Sequence, residues 1–467
     1  MHVEPIGIAT LVAGLLSLAF GLRFATVVFV LATLLGASAA LILPAFGDAN
    51  IQPAHLLLGF LVAAVAMRKT LFHRMLGSIR FPKPAFWLTM TVLFAILSAY
   101  YFPRVFAGVT EVFGLRTDNG GHVVLTPLAP SSGNVTQSVY LIGDLVCFIA
   151  MSAYARGANG KRVIAQAILV CALANLAFAA LDLATSATST SDWLAFIRNA
   201  TYRQLDDVDA LGTKRIVGSF SEASAFGFAT LGFFAFAMQL WLEGAYRRTA
   251  LGIALLSLIA LIFSTSTTAY VGMSMFLVLA LTRCLTRMTA ARATPQVVAF
   301  MLVFPLIIVG LAAAILLNDQ LNAYAQTTMQ TALFDKLSST SGVERSAWNT
   351  QALINFGDTY GLGVGVGSMR ASSLPIAVLG SMGVVGAALY CIFLGSLFWR
   401  NDGAAQPPLS ASVQRAARSA CVALLIAAAF TSSLVDLGLP FFVLAALASA
   451  EADPDRQRSG FMEPRST

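Results

Sequence analysis

Charged residues are scarce in this chain. Only 11% of its 467 residues are Asp, Glu, Lys or Arg, whereas 58% are hydrophobic. A soluble domain carries about 25% charged residues, so this shortage excludes a soluble globular protein. Apolar runs of about 20 residues have the length of membrane-spanning helices. The composition therefore predicts an all-α polytopic integral membrane protein.

Residues that bind metals are also few, and they are not grouped. The five cysteines lie inside apolar runs without metal-ligand spacing, which is typical of packing residues. Asp206, Asp207 and Asp209 are close in sequence, but acidic residues in a polar loop are usually ordinary surface. We therefore expect no metal ion and no cofactor.

The chain contains thirteen apolar stretches, of which the third and the last are short. We predict about 12–13 transmembrane helices in a single domain, 1–451, and a disordered cytoplasmic tail, 452–467. The first stretch lacks a basic segment before it and a small-residue cleavage site, which favours a span over a removable signal peptide. The stretches are 6–20, 24–44, 54–67, 85–102, 136–154, 163–185, 217–242, 249–265, 268–282, 297–317, 373–399, 416–435 and 438–450.

The basic residues are concentrated in alternate connections between these stretches. Of the 29 Lys and Arg residues, 20 fall in one set of connections, which the positive-inside rule assigns to the cytoplasm. The N-terminus is then outside, and the large outer loops are 103–135, 186–216 and 318–372. The net charge of +7 follows mostly from this orientation and does not indicate nucleic-acid binding.

The most informative stretch is 341–386. It opens with Glu344 and Arg345 and continues as an amphipathic run, which predicts a helix at the membrane interface. A glycine-rich break follows, and Arg370 stands just before the next apolar stretch. Flexible backbone and a fixed positive charge at a membrane surface suit an anionic lipid head group, such as a diphosphate.

This stretch resembles the large outer loop of the O-antigen ligase and polysaccharide polymerase family. The ligases have the arginine directly after a Ser-Gly pair and a histidine further on, whereas Val343 follows the pair here, and Ser372 and Ser373 stand in place of the histidine. The sequence from Gly367 to Ser373 is more similar to the polymerase branch of the family. The residues that match the family pattern are Ser341, Gly342, Arg345, Trp348, Gly363, Gly365, Gly367, Gly383 and Gly386.

A second polar segment, 214–228, leads into the seventh apolar stretch. Gly218, Phe220 and Gly227 match the family pattern at this position. Glu222 lies within the segment, and a carboxylate at that depth usually has a function or a partner. Glu222 is therefore either a general base or an ion-pair partner of a basic residue just before it.

Two further carboxylates, Asp144 and Asp182, fall inside predicted spans. Each is expected to serve a proton pathway or to bridge to a neighbouring helix. We favour the bridge for Asp144. Asp182 is near the outer end of its span, where it could line the same cavity as Glu222.

The resemblance implies a GT-C-like membrane glycosyltransferase that polymerises polysaccharide repeat units. Its substrates would be two polyprenyl-diphosphate-linked saccharides, with the lipid diphosphate as leaving group. Cations would hold the diphosphate, and a base would activate the acceptor hydroxyl. The expected diphosphate ligands are Arg215, Arg345, Arg370 and, more weakly, Lys214. The preferred base is Glu222, with Glu344 as the alternative, and weaker contacts are expected from Ser219, Trp348, Ser372 and Ser373.

The resemblance also places the protein in a bacterial cytoplasmic membrane, with the site facing the periplasm. The expected partners are membrane lipid, a chain-length regulator and a flippase. A ligase that moves a finished glycan to a lipid or protein is an alternative within the family. A lipid-linked saccharide transporter or a non-catalytic scaffold would belong to a different class. A transporter predicts internal repeats and little outer loop structure, and the sequence shows no repeat.

Overall fold

The computed structural model describes residues 2–44, 49–117, 123–188, 191–200, 209–210, 213–330, 340–399 and 408–450. The structure is 76% helical, and the strands in its described part form only three small antiparallel sheets. Within that part, eight helices are long and apolar enough to cross a membrane, or nine if one bent pair counts as a span. These features agree with an all-α polytopic membrane protein.

The helices follow one another across the bundle with short connections at most turns. Among the eight long apolar helices, α8 is the most buried, at 78%, and α11 the least, at 6%, so α8 lies at the centre of the bundle. The helices are α1 Pro5–Phe20, α2 Leu22–Ala32, α3 Pro53–Ala66, α4 Lys69–Ser78, α5 Pro84–Val105, α6 Ser132–Ala155, α7 Ala158–Ala187, α8 Ala223–Leu242, α9 Arg247–Phe263, α10 Thr267–Thr289, α11 Pro295–Leu317, α12 Asp319–Met329, α13 Thr340–Asp358, α14 Leu374–Phe398, α15 Pro408–Thr431 and α16 Leu439–Ser449.

The strands occur in the connections. The β1–β3 sheet pairs Leu41 with Ile51, and the β4–β5 hairpin pairs Val112 with Thr126. A 3-10 helix, Ser191–Ile197, follows α7. The strands are β1 His2–Val3, β2 Leu41–Leu43, β3 Ala49–Ile51, β4 Glu111–Thr117, β5 Val123–Pro127, β6 Asp209–Ala210 and β7 Thr213–Lys214.

The predicted span 24–44 is not one continuous helix, because α2 ends at Ala32. The chain beyond α2 is held by other loops: Ala37 N–H donates to Ser219 O at 3.3 Å, and Ala39 N–H donates to Asn199 Oδ1 at 2.9 Å. Irregular backbone is tolerated at membrane depth only where protein groups satisfy it. Those partners come from distant parts of the chain, so a count of apolar residues did not find the break.

Other predicted spans differ in length from the helices. The stretch 54–67 forms α3, which turns by 112° into α4. The stretch 217–242 becomes helical only at Ala223. Helix α16 has 11 residues and is about 16 Å long, less than the ~30 Å of a bilayer core. The figure of 12–13 transmembrane helices stays a prediction, because α1, α2, α9 and α16 each have fewer than 18 residues.

The amphipathic run in 341–386 forms α13, as predicted from its spacing. Ala352 is buried, whereas the next residue, Leu353, is 49% exposed. Gln351 Nε2 donates to Glu111 O at 2.8 Å, which ties α13 to the β4–β5 hairpin. The helix therefore packs one face against the protein and presents another outward.

The glycine-rich segment after α13 was expected to be flexible, but it is packed into the protein. Gly365 and Gly367 adopt φ angles of 91° and 81°, which favour glycine. A Cβ atom on Gly367 would lie 2.3 Å from Gly133 O. Gly365 N–H also donates to Ser381 O at 2.9 Å. The glycines thus let the backbone approach α6 and α14 closely, and the segment holds Arg370 in a defined place.

Candidate functional site

Several loops meet at the end of the bundle where α8 and α14 begin. Arg370 N–H donates to Phe113 O of β4 at 2.9 Å. Ala371 N–H donates to Ser433 O, in the turn between α15 and α16, at 3.0 Å. These bonds join three loops that are far apart in sequence and fix the backbone at Arg370.

Arg215 lies in the segment that leads into α8. Burial lowers the pKa of Arg215, and the nearby charge of Arg345 lowers it further, while Glu222 and Tyr270 act in the opposite direction. Its Nη2 donates to Thr265 O at 3.4 Å. Arg215 therefore shares one neighbourhood with Glu222 and Arg345.

Arg370 also lies close to Glu222. Burial lowers its pKa, against the charges of Glu222 and Glu344. The Arg370 guanidinium carbon lies 5.0 Å from the centroid of the Trp348 ring, within the range of a cation–π contact. The structure thus brings Arg215, Glu222, Glu344, Arg345 and Arg370 together, and we call these five residues the open cluster.

The charges of the open cluster are close, but they do not touch. In the described part of the chain, none of its members forms an ion pair within 4.0 Å. The Nε atoms of Arg215 and Arg370 are buried and have no hydrogen-bond partner among the described residues. A buried donor without a partner costs free energy. Guanidinium groups bind phosphate oxygens in pairs, so this arrangement suits an anionic ligand.

A cavity of about 310 Å³ opens beside Glu222, between α8, α15 and α16. Its lining is mostly apolar with a smaller set of polar side chains, so it can hold a molecule with both kinds of surface. The polar lining residues are Glu222, Ser224, Thr431, Ser432, Ser433 and Asp436. The apolar lining includes Phe220, Phe228, Phe233, Leu424, Leu437 and Leu444.

Asp182 and Lys214 are bound to each other and not to the open cluster. Asp182 Oδ1 lies 2.8 Å from Arg198 Nη2 and 3.3 Å from Lys214 Nζ. The other carboxylate oxygen accepts from the N–H groups of Val217 and Gly218 at 2.9 and 3.0 Å. This pairing orients the segment before α8. Lys214, predicted as a weaker diphosphate ligand, takes part in this ion pair, and Asp182 is not among the described residues that line the cavity beside Glu222.

Two of the three predicted serine contacts are bonded within the protein, Ser219 through its side chain and Ser372 through its backbone. Ser219 is fully buried, and its hydroxyl donates to Leu34 O at 2.7 Å. Ser372 is buried, and its N–H donates to Asn349 Oδ1 at 2.7 Å. Ser373 precedes the first residue of α14. These residues hold the loops around the open cluster.

Asp436 and Tyr270 were not predicted from the sequence. Asp436 lines the cavity, but it lies in the short break between two apolar stretches, where only its isolated charge was a signal. Tyr270 is close enough to Arg215 to raise its pKa, although Tyr270 lies near the start of an ordinary apolar helix. Both residues gain their significance from elements distant in sequence.

Asp206 and Asp207, two of the three acidic residues noted in the sequence, fall outside the described ranges. Among the residues that are described, no three His, Cys, Asp or Glu side chains are grouped as a metal site.

Comparison with known protein families, with curated proteins and with solved structures found no match for this chain.

Proposed function

We propose that the protein is a membrane glycosyltransferase that polymerises polysaccharide repeat units. The donor is a glycan on a polyprenyl diphosphate, and the acceptor is a second lipid-linked saccharide. The observation that carries the proposal is that Arg215 and Arg370 lie close to Glu222, which lines a mostly apolar cavity, and that Arg345 lies close to Arg215.

The arginines supply the binding site for the leaving group. A diphosphate gains charge as its bond to the sugar breaks, and positioned cations stabilise that charge. Three guanidinium groups suit this task. On two of them, Arg215 and Arg370, the Nε atom is buried and has no hydrogen-bond partner among the described residues. Trp348 stacks near Arg370 and helps to hold its plane.

The cavity suits a substrate that has both an apolar prenyl chain and a polar sugar. Its apolar lining, including Phe233 and Leu444, suits a prenyl chain, whereas the polar part of the lining offers hydroxyls and carboxylates to a sugar. Helix α13 packs over the glycine-rich segment beside Arg370 and bears exposed apolar residues such as Leu353, as expected of a helix at a membrane interface.

Glu222 connects the two parts of the site. It lines the cavity, accepts a hydrogen bond from the Ser224 hydroxyl, and faces Arg215 and Arg370. Its assignment as the general base remains a prediction, as does that of Glu344. The same position also lets Glu222 hold the two guanidinium groups in place. We place the reaction at the outer face of a bacterial cytoplasmic membrane, following the distribution of basic residues.

The test is the analysis of lipid-linked glycans in a strain that lacks the protein. A polymerase predicts that single repeat units accumulate on the lipid and that polymer returns on complementation. Long, unattached chains on the lipid would instead identify a ligase. Unchanged lipid-linked glycans would overturn both assignments.

A binding measurement on purified protein isolates the role of the arginines. Farnesyl diphosphate serves as the probe, because it carries a diphosphate and a short prenyl chain. We expect Arg370→Ala to weaken binding of the probe, whereas Arg104→Ala, at the end of α5, should not. Equal binding by both variants would remove the arginines from the diphosphate site.

A further inference from the structure

A second cavity, of about 330 Å³, is lined by residues of α2, α7 and the start of α9, and we call it the α7 groove. It shares no lining residue with the cavity beside Glu222. Tyr246, which lines the groove, follows the end of α8, whereas Glu222 precedes its start. Since α8 has 20 residues and is about 30 Å long, the two sites lie towards opposite ends of the bundle.

The polar residues of the groove lie where its helices begin. Arg23 is the second residue of α2, Thr249 is the third residue of α9, and Tyr246 directly precedes α9. Helix N-termini carry partial positive charge, and the Arg23 guanidinium adds a full charge. This end of the groove therefore attracts anions.

The apolar part of the groove follows one side of α7. Val163, Leu169, Val170 and Leu173 succeed one another along that helix and line the groove. From Val163 to Leu173 the helix rises about 15 Å, which is half of the ~30 Å core of a bilayer. Val170 and Leu173 are 45% and 46% exposed, so the groove is open at the surface of the bundle. Its length and its exposure suit one acyl chain of a single leaflet.

The positive charge at this end has no acidic partner. The sequence contains no Asp or Glu in 5–47, 145–181 or 244–318, which include all of α2 and α9 and most of α7. In the described part of the chain, the Arg23 guanidinium forms no ion pair and no hydrogen bond. Glu243, three residues before Tyr246, is already bound by Arg287 and Arg415. The charge of Arg23 is thus left for a ligand.

Tyr246 is held at the groove in a costly conformation. Its φ angle is 47°, in the left-handed region that is unfavourable for residues other than glycine. Its hydroxyl is buried and has no hydrogen-bond partner among the described residues, which also costs free energy. A phosphate oxygen in the groove that Tyr246 lines would supply the missing acceptor.

We propose that the α7 groove binds an anionic glycerophospholipid from the leaflet on the face that the basic residues assign to the cytoplasm. The phosphate lies at Arg23, Tyr246 and Thr249, and one acyl chain follows α7 towards Leu173. Anionic head groups are attracted to arginines at this depth. A zwitterionic lipid carries an ammonium group in addition, which Arg23 repels, so the site selects by charge. This inference does not depend on the proposed glycosyl transfer.

The first experiment tests the charge selection. Native mass spectrometry of the purified protein measures its affinity for phosphatidylglycerol and for phosphatidylcholine with the same acyl chains. We expect tighter binding of phosphatidylglycerol, and a loss of about fivefold in Arg23→Gln. Arg292→Gln, the same change at an exposed residue after α10, should keep the wild-type affinity. Equal affinity of the wild type for the two lipids, or an equal loss in both variants, would overturn the proposal.

The second experiment tests the place of the acyl chain. Val170→Trp fills the groove without changing its charge and should lower the affinity for phosphatidylglycerol. Val278→Trp, at an exposed position of α10, is the matched control and should leave it unchanged. Leu173→Trp serves the same purpose if Val170→Trp fails to insert. Wild-type affinity in a well-inserted groove variant would overturn the assignment of the lipid to this groove.

A competition experiment distinguishes a lipid from a free phosphate. Excess inorganic phosphate should leave phosphatidylglycerol bound, because the acyl chain contributes contacts that the free ion lacks. Displacement of the lipid by inorganic phosphate would show that the groove recognises the ion alone and would overturn the proposal.

Discussion

Helix α8 has a glutamate at each end, and the two carboxylates have opposite surroundings. Glu243, after the last residue of α8, lies 2.6 Å from Arg287 Nη2 and 2.7 Å from Arg415 Nη2. Glu222, before the first residue, faces Arg215 and Arg370 without an ion pair among the described residues. We call Glu243, Arg287 and Arg415 the closed cluster.

The closed cluster stabilises a carboxylate that would otherwise be unfavourable at its position. A carboxylate at a helix C-terminus is unfavourable next to the helix dipole, and burial would raise its pKa. The hydrogen bonds and charges of Arg415 and Arg287 outweigh burial and hold the pKa of Glu243 below its ordinary value. The same types of residue in the open cluster are left with space between them. The difference shows that pairing at contact distance stabilises the fold, whereas separated charges leave room for a ligand.

The largest expected effect concerns the side of the membrane on which each cluster lies. A reporter fused after Lys83 or Arg292 should read cytoplasmic, and one within 320–340 should read extracytoplasmic, because 20 of the 29 basic residues favour that orientation. The measurement is an enzyme reporter that is active on one side only. A cytoplasmic signal from 320–340 would put the open cluster on the wrong side for the proposed substrate.

The next largest effect is the loss of transfer rate when a guanidinium of the open cluster is replaced by an ammonium. Arg370→Lys should lower transfer about a hundredfold, or ~3 kcal/mol of barrier, because an ammonium cannot reproduce a two-pronged phosphate contact. Turnover of extracted lipid-linked repeat units is the measurement. Arg104→Lys is the matched control. Normal polymer from a well-inserted Arg370→Lys would contradict the assignment of this residue.

A stability measurement compares the two ends of α8 directly. Glu243→Gln leaves Arg287 and Arg415 without their carboxylate and should cost about 2 kcal/mol of stability. Glu222→Gln should cost much less, since no contact ion pair is lost. Thermal unfolding in detergent reports both. Equal destabilisation by the two changes would remove the distinction between the clusters.

The closed cluster also predicts a dependence of stability on pH. The folded-state pKa of Glu243 lies below its ordinary value of 4.5. The carboxylate therefore contributes stability above pH 4.5, and this contribution is lost as the pH falls through the folded-state pKa. The melting temperatures of the wild type and Glu243→Gln should converge in acid. A gap that stays constant down to the acid limit would show that the charge of Glu243 is not its source.

The smallest expected effect is that of a chelator. If arginines alone neutralise the leaving group, transfer by purified protein should be unchanged in EDTA. Loss of activity that a divalent ion restores would mean that the open cluster works with a metal. The segment with Asp206 and Asp207 would then be the first place to look for its ligands.

The parts of the site differ in how far they could be predicted from sequence. Arg345 and Arg370 stand at either end of a conspicuous glycine-rich segment, so they were found at once. Glu222 was found because a carboxylate is unusual near an apolar span. Asp436 was missed because it is a single charge in a short break between two apolar stretches, and its place in the cavity lining depends on how α15 and α16 pack against α8.

Secondary structure also differs in how far it could be predicted from sequence. The amphipathic spacing correctly predicted α13, since helix periodicity is a property of neighbouring residues. The end of α2 at Ala32 was not predicted, because the unwound chain depends on Ser219 and Asn199. Backbone groups can leave a helix within the bundle only if such distant partners replace their hydrogen bonds.

The sequence by itself determined that this is an all-α membrane protein, because a run of about 20 apolar residues can satisfy all its backbone hydrogen bonds in a bilayer by forming a helix. It also determined which rare charged residues were candidates for a function. Only the tertiary structure decided which charges meet. Asp182 is shared by Arg198 and Lys214, Glu243 is enclosed by two arginines, and Arg215 and Arg370 lie near Glu222 without an ion pair among the described residues. Pairing depends on distances of a few ångströms between helices, and those distances are set by packing of the whole bundle.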